Sequence, residues 1–339
     1  MNLHRGGRLD EAESGYRECL HDGEVEAAAP LAALLLQQER YGEAVELLEP
    51  LARAAPDSAE LAVNLSVGLR RSGRAEEALQ VGRRACALAP TQLSGWNALG
   101  LAALELDRAE EALVAFESGL RLAPAHPALG LHRAHALRRL GRNSDALSAY
   151  TQTVQISPDL VDGWRGLAST QAALDQVDEA LLSRMRALAL APRNREVAFE
   201  HAVALMRASK VVEAILGFEA ALQTDPDDAQ AWAWLGRARL GQGDLPAARV
   251  EFEQARSHDP HDSVIAHFHM AITGTLPDEV ESDYIRCLFD DFADRFDHTL
   301  VQRLAYGTPA RLAHFLRQSN ANVATCVLDL GCGTGLMAQ

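Results

Sequence analysis

A fixed interval of 34 residues separates the prolines along most of this chain, and it constrains the fold more than any other feature. The prolines that keep the interval are Pro56, Pro90, Pro124, Pro158, Pro192, Pro226 and Pro260. An alanine stands twelve residues before each, at Ala44, Ala78, Ala112, Ala146, Ala180, Ala214 and Ala248. A small residue kept in every cycle is expected where two helices approach closely. The sequence therefore predicts seven cycles of one structural unit.

Each cycle reads as a pair of helices, because its apolar residues recur at helical spacing on both sides of a turn signal such as Gly73 or Gly141. The pattern resembles the tetratricopeptide repeat, and it is matched most fully by Trp96, Leu99, Gly100, Ala112, Phe116 and Pro124, and by Trp232, Leu235, Gly236, Ala248, Phe252, Ala255 and Pro260. The resemblance covers residues 25–262. It implies an all-α, right-handed superhelical solenoid whose first helices line a concave groove.

The two flanks of the array are less regular. Residues 1–24 are predicted to be a partial repeat or an N-terminal cap, with Ala12 and Tyr16 at the small and aromatic positions. Pro30 lies in the first helix of the opening repeat, so that helix is expected to be irregular. Residues 263–276 are expected to supply a capping helix.

Four histidines near the end of the array raise the question of a metal site: His258, His261, His267 and His269. His267 and His269 are two residues apart on a predicted helix, so their side chains point to different faces. A polar cap is therefore favoured over metal ligation, and no metal ligand is predicted.

A second period of 68 residues is visible inside the first, because Trp96, Trp164 and Trp232 occur only in alternate repeats. In the intervening repeats, arginines stand at the end of the first helix, at Arg71, Arg139 and Arg207, with Arg70 and Arg138 beside two of them. This position tends to face the groove in the family that the repeats resemble. The arginines are thus a candidate basic stripe for an acidic protein or peptide partner. Alternatively, they complement the helix dipole and cover apolar surface.

Composition excludes several classes of protein. The net charge of −15 and the pI of about 5.2 disfavour nucleic acid as a ligand. The five cysteines form no C-x-x-C pair, which argues against a disulfide framework and a zinc knuckle and fits a reducing cytoplasm. The longest apolar run is too short to cross a bilayer, so no membrane association is expected. The sequence leaves the oligomeric state open.

The pattern changes after the array. Residues 277–322 are predicted to be a helical lead-in to another domain, with aromatic residues that include Phe296. Residues 323–339 then read as a β-strand followed by the glycines Gly331, Gly333 and Gly335. Strand, glycine loop and helix start are the elements of a Rossmann-like α/β domain, here incomplete. A dinucleotide site would require G-x-G-x-x-G, which this spacing does not match.

The loop resembles the first motif of class I S-adenosylmethionine-dependent methyltransferases. The resemblance implies that Asp329, Gly331, Gly333 and Gly335 hold S-adenosylmethionine. The segment F-D-x-x-A-x-x-F-D, which contains Phe296, looks like the helix that folds over the cofactor pocket in several of these enzymes. The whole chain thus resembles repeat-containing predicted methyltransferases. No catalytic residue is assigned, because the remaining strands would follow residue 339.

Two functions follow from these resemblances. The first is the N-terminal part of a methyltransferase whose solenoid binds a protein or peptide partner or substrate, and the second is a non-enzymatic scaffold for protein–protein interaction. A repeat-based glycosyltransferase is disfavoured, because its inner asparagines are replaced at Ala98, His132, Gly166, Glu200 and Trp234. Since the sequence ends four residues after the loop, we expect the 339-residue chain neither to bind the methyl donor well nor to turn over.

Overall fold

The structure, a computed structural model, describes residues 8–274, which are all-α. These residues form sixteen α-helices and one short 3-10 helix and contain no β-strand. The helices are α1 (Leu9–His21), α2 (Ala28–Gln37), α3 (Tyr41–Ala54), α4 (Ala59–Arg71), α5 (Ala75–Leu88), α6 (Leu93–Glu105), α7 (Ala109–Leu122), α8 (Pro127–Arg139), α9 (Asn143–Ile156), α10 (Val161–Ala173), α11 (Val177–Leu190), α12 (Arg195–Arg207), α13 (Val211–Thr224), α14 (Ala229–Gly241), α15 (Leu245–His258) and α16 (Ser263–Thr273).

Helices α2 to α15 form seven pairs, each with a first and a second helix, and every pair occupies one 34-residue cycle. Before them, α1 packs on α2, and after them α16 packs on α15. The 3-10 helix Val25–Ala27 leads directly into α2, with Pro30 in the first turn of that helix, where a missing N–H leaves no hydrogen bond unmade. The described residues divide into two compact units between Pro192 and Arg193.

The alanine column packs as its periodicity predicts. All seven alanines lie in second helices, and none is more than 4% exposed: Ala44, Ala78, Ala112, Ala146, Ala180, Ala214 and Ala248. Four residues further along the same helices, large side chains fill the interior, including Phe116, Phe218 and Phe252. Each helix pair therefore packs around one small and one large residue of its second helix. A short sequence pattern thus specifies how the two helices pack.

Two glycines of first helices leave space for these large rings. A Cβ atom at Gly100 would overlap the ring of Phe116, and a Cβ at Gly236 would lie 2.8 Å from Cε2 of Phe252. Both rings are fully buried in the second helix of the same repeat. The glycine of the Leu-Gly dipeptide in the repeat pattern is thus needed because a side chain there would collide with the aromatic ring of the second helix.

The turn inside every pair contains one residue in the left-handed region of backbone space. Glycine supplies it at Gly73, Gly141 and Gly243, with φ values of 82°, 70° and 81°. The other four repeats use residues with side chains, at Glu39, Asp107, Asp175 and Ser209, with φ between 56° and 61°. Aspartate tolerates this conformation better than most residues, whereas glutamate has no such advantage. The turn geometry is therefore the same in all seven repeats although only three contain the glycine signal.

Side chains also set where several first helices begin. Ser58, Asn194 and Asp228 each accept a hydrogen bond from a backbone N–H in the first turn of the helix that follows. At α8 the ring nitrogen Nδ1 of His126 takes this role, 3.3 Å from the backbone nitrogen of Leu129. These caps satisfy N–H groups that have no partner inside the helix.

Candidate functional site

Within the first unit, the first helices of neighbouring repeats contact one another from α2 to α10. Side chains bridge them: His132 Nδ1 on α8 lies 2.9 Å from Oδ1 of Asn97 on α6. Arg70 Nη1 on α4 donates to Glu105 Oε1 on α6 over 2.9 Å. Helices α2, α4, α6, α8 and α10 thus form one continuous surface, which we call the first-helix surface.

Arg71 lies at the end of α4, where the candidate stripe begins. Its Nη2 donates to the hydroxyl oxygen of Tyr41 over 2.9 Å, and its guanidinium carbon lies 4.9 Å from the centre of the Tyr41 ring. The same nitrogen is 3.9 Å from Glu39 Oε1 in the turn of the preceding repeat. Hydrogen bonding to Tyr41 raises the pKa of the Arg71 guanidinium above its usual value. Arg71 is therefore bound to the preceding repeat while its side chain stays 43% exposed.

Arg139 repeats this arrangement two repeats later. Its Nη1 donates to the backbone carbonyl of Leu104 and lies 3.7 Å from Asp107 Oδ1. Asp107, like Glu39, is the residue with positive φ in the turn of the preceding repeat. The arginine of one repeat and the turn acid of the repeat before it thus form a recurring ion pair between repeats, which the sequence analysis did not anticipate. The detectable signal was the constant spacing of 32 residues between Glu39 and Arg71 and between Asp107 and Arg139.

The other three candidate arginines differ in their surroundings. Arg70 is only 16% exposed, and its Nε is buried without a hydrogen-bond partner among the described residues. Arg138 is exposed on α8, and Arg207 is exposed at the end of α12 in the second unit. In the first unit the structure thus brings Arg70, Arg71, Arg138 and Arg139 to the ends of first helices, with acids beside three of them.

A half-buried histidine on α8 packs against a buried tyrosine on α9. The His135 ring packs edge-on against Tyr150, with 5.6 Å between ring centres. Burial, together with the nearby positive charge of Arg138, lowers the pKa of His135 to about 4, so the ring is neutral at pH 7. Burial also raises the pKa of Tyr150, an effect that Arg138 partly offsets.

The second unit contains an aromatic cluster that sequence analysis missed. The ring of Trp234 stacks on Phe218 at 6.2 Å, and Phe218 meets Phe199 edge-on at 5.9 Å. The guanidinium carbon of Arg237 lies 4.1 Å from the centre of the Trp234 ring and 5.3 Å from that of Phe268. Trp234 lies outside the 68-residue tryptophan period, and that departure was the available signal.

Comparison with known proteins decides the family. Sequence profiles described as "Tetratricopeptide repeat" match residues 30–92, 93–126, 131–195 and 205–269, which together are more than half of the chain. The chain belongs to the tetratricopeptide-repeat family. The helix pairs seen in the structure are therefore tetratricopeptide repeats.

Among characterised proteins, this tetratricopeptide-repeat chain is similar to "Protein O-mannosyl-transferase TMTC1" of Mus musculus, with 29% identity over 138 residues, 40% of this chain and 15% of that protein. It is also similar to "Hsp70-Hsp90 organizing protein" of Triticum aestivum, with 36% identity over 97 residues, 29% of this chain and 17% of that protein. The chain spans less than a quarter of the length of the curated relatives that it matches.

Among solved structures, the chain is similar to one in the "APC/C hetero-tetramer Cut9-Hcn1" crystal structure, with a TM-score of 0.57 and 12% identity over 78% of this chain and 52% of that one. At this identity the likeness concerns the fold alone. It supports the all-α repeat architecture.

The predicted cofactor residues lie outside the residues that the structure describes. They are Phe296, Asp329, Gly331, Gly333 and Gly335. The helical lead-in and the Rossmann-like strand and loop lie there as well, so the methyltransferase assignment stays a prediction from the sequence.

The histidines near the end of the tetratricopeptide array make separate contacts. His258 Nδ1 lies 3.6 Å from Asp227 Oδ1, while His269 Nδ1 lies 3.1 Å from Arg256 Nη1. Across residues 8–274, no group of three His, Cys, Asp or Glu side chains is arranged to hold a metal ion. In the same range no helix is long and apolar enough to cross a bilayer.

Proposed function

We propose that the tetratricopeptide array binds a protein or peptide partner along the first-helix surface, as part of a methyltransferase that uses S-adenosylmethionine. Partner binding is supported by the continuity of this surface, because side chains from successive repeats meet on it. An extended chain laid across it would contact several repeats at once. Proteins of this family generally bind protein partners, which supports the same interpretation.

The first-helix surface suits a partner with acidic residues. Arg71 and Arg139 remain 43% and 48% exposed, and their distances to Glu39 and Asp107 are 3.9 and 3.7 Å. Exposed ion pairs of this kind contribute only about 0–1 kcal/mol, so carboxylates of a partner can replace them at little cost. A guanidinium binds a carboxylate through two parallel hydrogen bonds, which adds directional specificity.

Reversing the charge at Arg71 and Arg139 of the first-helix surface, together with Arg207 of the second unit, tests the predicted arginine stripe. Peptides selected from a random phage-displayed library on the 339-residue chain are expected to be enriched in Asp and Glu. Because each reversal replaces an attraction by a repulsion, the triple variant is expected to bind a selected peptide at least about tenfold more weakly. Fluorescence polarisation of the labelled peptide measures the change.

A matched control separates local contacts from net charge. Arg83, Arg108 and Arg249 lie in second helices or just before one and are 44%, 43% and 58% exposed. Their reversal to Glu changes the net charge equally and is expected to leave peptide affinity nearly unchanged. An equal loss of affinity in both triple variants, or selected peptides without acidic enrichment, would contradict the proposal.

The methyltransferase assignment rests on residues 277–339, which follow the array. Its support is the sequence resemblance of Asp329, Gly331, Gly333 and Gly335 to a methyltransferase motif, with Phe296 in the preceding segment. When bound, S-adenosylmethionine supplies an electrophilic methyl group for transfer to a nucleophile of the substrate. The glycines would let the backbone approach this ligand without Cβ atoms between them.

Calorimetric titration with S-adenosylmethionine tests the cofactor assignment. A chain that includes a complete methyltransferase domain after the array is expected to bind, while its variant Gly333→Val is expected to lose at least about tenfold in affinity, because a branched side chain would separate the loop from the ligand. Ser319→Ala, in the same segment, serves as the control. Equal affinity of Gly333→Val and the unchanged protein would contradict the assignment and would favour the alternative, a scaffold without enzymatic activity.

A further inference from the structure

Three tryptophans of the array share one hydrogen bond. The indole Nε1 of Trp96 donates to the carbonyl oxygen of Pro90 over 2.8 Å. Trp164 donates to Pro158 over 2.9 Å, and Trp232 donates to Pro226 over 2.8 Å. In each case the acceptor is the proline that ends the preceding repeat, so the indole fills the space beside that proline and closes the junction between two repeats.

One repeat without tryptophan replaces the indole by a guanidinium. Ala62 stands at the tryptophan position, and Arg84 Nη2, from the second helix of the same repeat, donates to the carbonyl oxygen of Pro56. A planar N–H donor therefore reaches the proline carbonyl in this repeat as well.

The repeat that contains Gly130 at the tryptophan position has no such donor. Gln152 takes the place of Arg84, and among the described residues no hydrogen-bond donor reaches the carbonyl of Pro124. A cleft of about 450 Å³ opens there. The cleft is lined by Glu117, Leu120, Arg121, Pro124, Gly130 and Ile156, among others. Its volume lies within the roughly 300–1,000 Å³ that is usual for ligand sites.

The polar groups of the cleft define what it can hold. Pro124 offers a hydrogen-bond acceptor at the place where the other repeats bind an indole N–H. Arg133 has a buried Nε without a partner among the described residues, while its Nη2 is 3.3 Å from Gln152 Oε1. Arg121, whose Nη2 donates to Ser118 Oγ over 2.7 Å, adds a second guanidinium at the cleft, and Glu117 adds one carboxylate. The cleft thus offers one acceptor, apolar walls and an excess of positive charge.

None of the tryptophans in the 339 residues is free to enter this cleft. It contains four tryptophans, of which three bind proline carbonyls and the fourth, Trp234, stacks on Phe218. A second copy of the chain has the same four engaged side chains. An indole bound in the cleft would therefore come from outside these 339 residues.

We propose that the cleft over Gly130 binds a tryptophan side chain of a protein partner, at a position where an acidic residue neighbours the tryptophan. The indole N–H donates to the Pro124 carbonyl, as in the three filled repeats, and the ring packs on Leu120 and Ile156. The neighbouring carboxylate pairs with Arg133 and Arg121. The cleft is lined by residues of α7, α8 and α9, and its lining includes none of the candidate arginines Arg71, Arg138 and Arg139.

The protein itself provides the design of a blocking variant. Gln152→Arg reproduces the Ala62 repeat, in which the arginine at the equivalent position, Arg84, reaches the proline carbonyl. Gln152 is exposed, so the variant is expected to fold. Gln80→Arg, on the exposed face of α5, is the matched control with the same charge change and no contact with the cleft.

The probes are three capped peptides, Asp-Trp-Asp, Asp-Leu-Asp and Lys-Trp-Lys, together with free indole, titrated into the isotope-labelled 339-residue chain and followed by NMR. Asp-Trp-Asp is expected to bind at least about tenfold more tightly than either of the other two peptides. Asp-Leu-Asp lacks the indole ring and its hydrogen bond, and Lys-Trp-Lys lacks the charge pairing with the arginines. Gln152→Arg is expected to weaken this binding at least about tenfold, and Gln80→Arg to leave it unchanged.

Equal binding of Asp-Trp-Asp and Asp-Leu-Asp would overturn the proposal, as would equal binding to the Gln152→Arg chain and the unchanged chain. An equal loss with Gln80→Arg would reduce the effect to general electrostatics and would overturn it as well. Free indole that binds as tightly as Asp-Trp-Asp would overturn the assignment to a protein partner.

Discussion

Replacing Phe116 by alanine is expected to lower the free energy of unfolding of the first unit by about 3–5 kcal/mol. The Phe116 ring is fully buried on α7, packs against Gly100 and lies 5.4 Å from the ring of His132 in the next repeat. Its loss leaves a cavity at a junction between repeats. Because each repeat is stabilised by its neighbours, the loss spreads beyond one helix pair. Urea denaturation followed by circular dichroism measures the effect.

Two further variants test the physical reason for this loss. Gly100→Ala alone is expected to cost about 1–3 kcal/mol, since its Cβ would overlap the ring, but to cost nothing in the Phe116→Ala chain. Val114→Ala, on the same helix and 62% exposed in the native chain, is the control and is expected to change little. Additive effects of Gly100→Ala and Phe116→Ala would show that the two residues are not coupled through the ring.

Acidification is expected to destabilise the first unit through His135. Its pKa is about 4 in the folded chain and about 6.5 in an unfolded one, so between these values the unfolded state binds a proton that the folded state does not. The stability is therefore fully present above pH 6.5 and falls as the pH drops to 4, by about 3 kcal/mol in total. Burial lowers the pKa of His132 as well, which acts in the same direction, whereas Asp162 opposes the shift at His135.

Removing the titrating ring tests this explanation. His135→Gln is expected to flatten the decline of the melting temperature between pH 6.5 and 4, because glutamine binds no proton in that range. His21→Gln is the control, since the His21 side chain is 90% exposed. An unchanged pH dependence in His135→Gln would assign the acid sensitivity to other groups.

The repeat architecture was predictable from the sequence because its contacts are local. Each pair of helices is specified by a small residue such as Ala112 and a large residue such as Phe116 within one cycle, and neighbouring cycles repeat the same solution. Periodic patterns report such contacts directly. The turns were only partly predictable: glycine marks three of them, while residues such as Glu39 adopt the same positive φ because the helices on both sides require it.

For the candidate arginine stripe, the sequence predicted the positions of the arginines but not their partners. The periodicity placed Arg71 and Arg139 at equivalent sites, and the structure brings them to the ends of first helices with acids of the preceding repeat beside them. Position along a helix is a property of the local sequence, whereas the partner of a flexible side chain depends on the neighbouring repeat. For the cofactor residues around Gly333, the sequence resemblance is the sole support.

What the sequence alone determined is the number, length and family of the repeats, because these follow from apolar spacing within and between adjacent cycles. What only the tertiary structure decided is how exceptions to the pattern are used. In the sequence, Gly130 and Ala62 look alike, because each stands at the position where other repeats have tryptophan. In the structure, the guanidinium of Arg84 binds the Pro56 carbonyl in the Ala62 repeat, whereas a cleft remains beside Pro124 in the Gly130 repeat. The two repeats differ because Arg84, in the second helix of the Ala62 repeat, reaches the proline carbonyl, whereas Gln152 at the equivalent position of the Gly130 repeat does not.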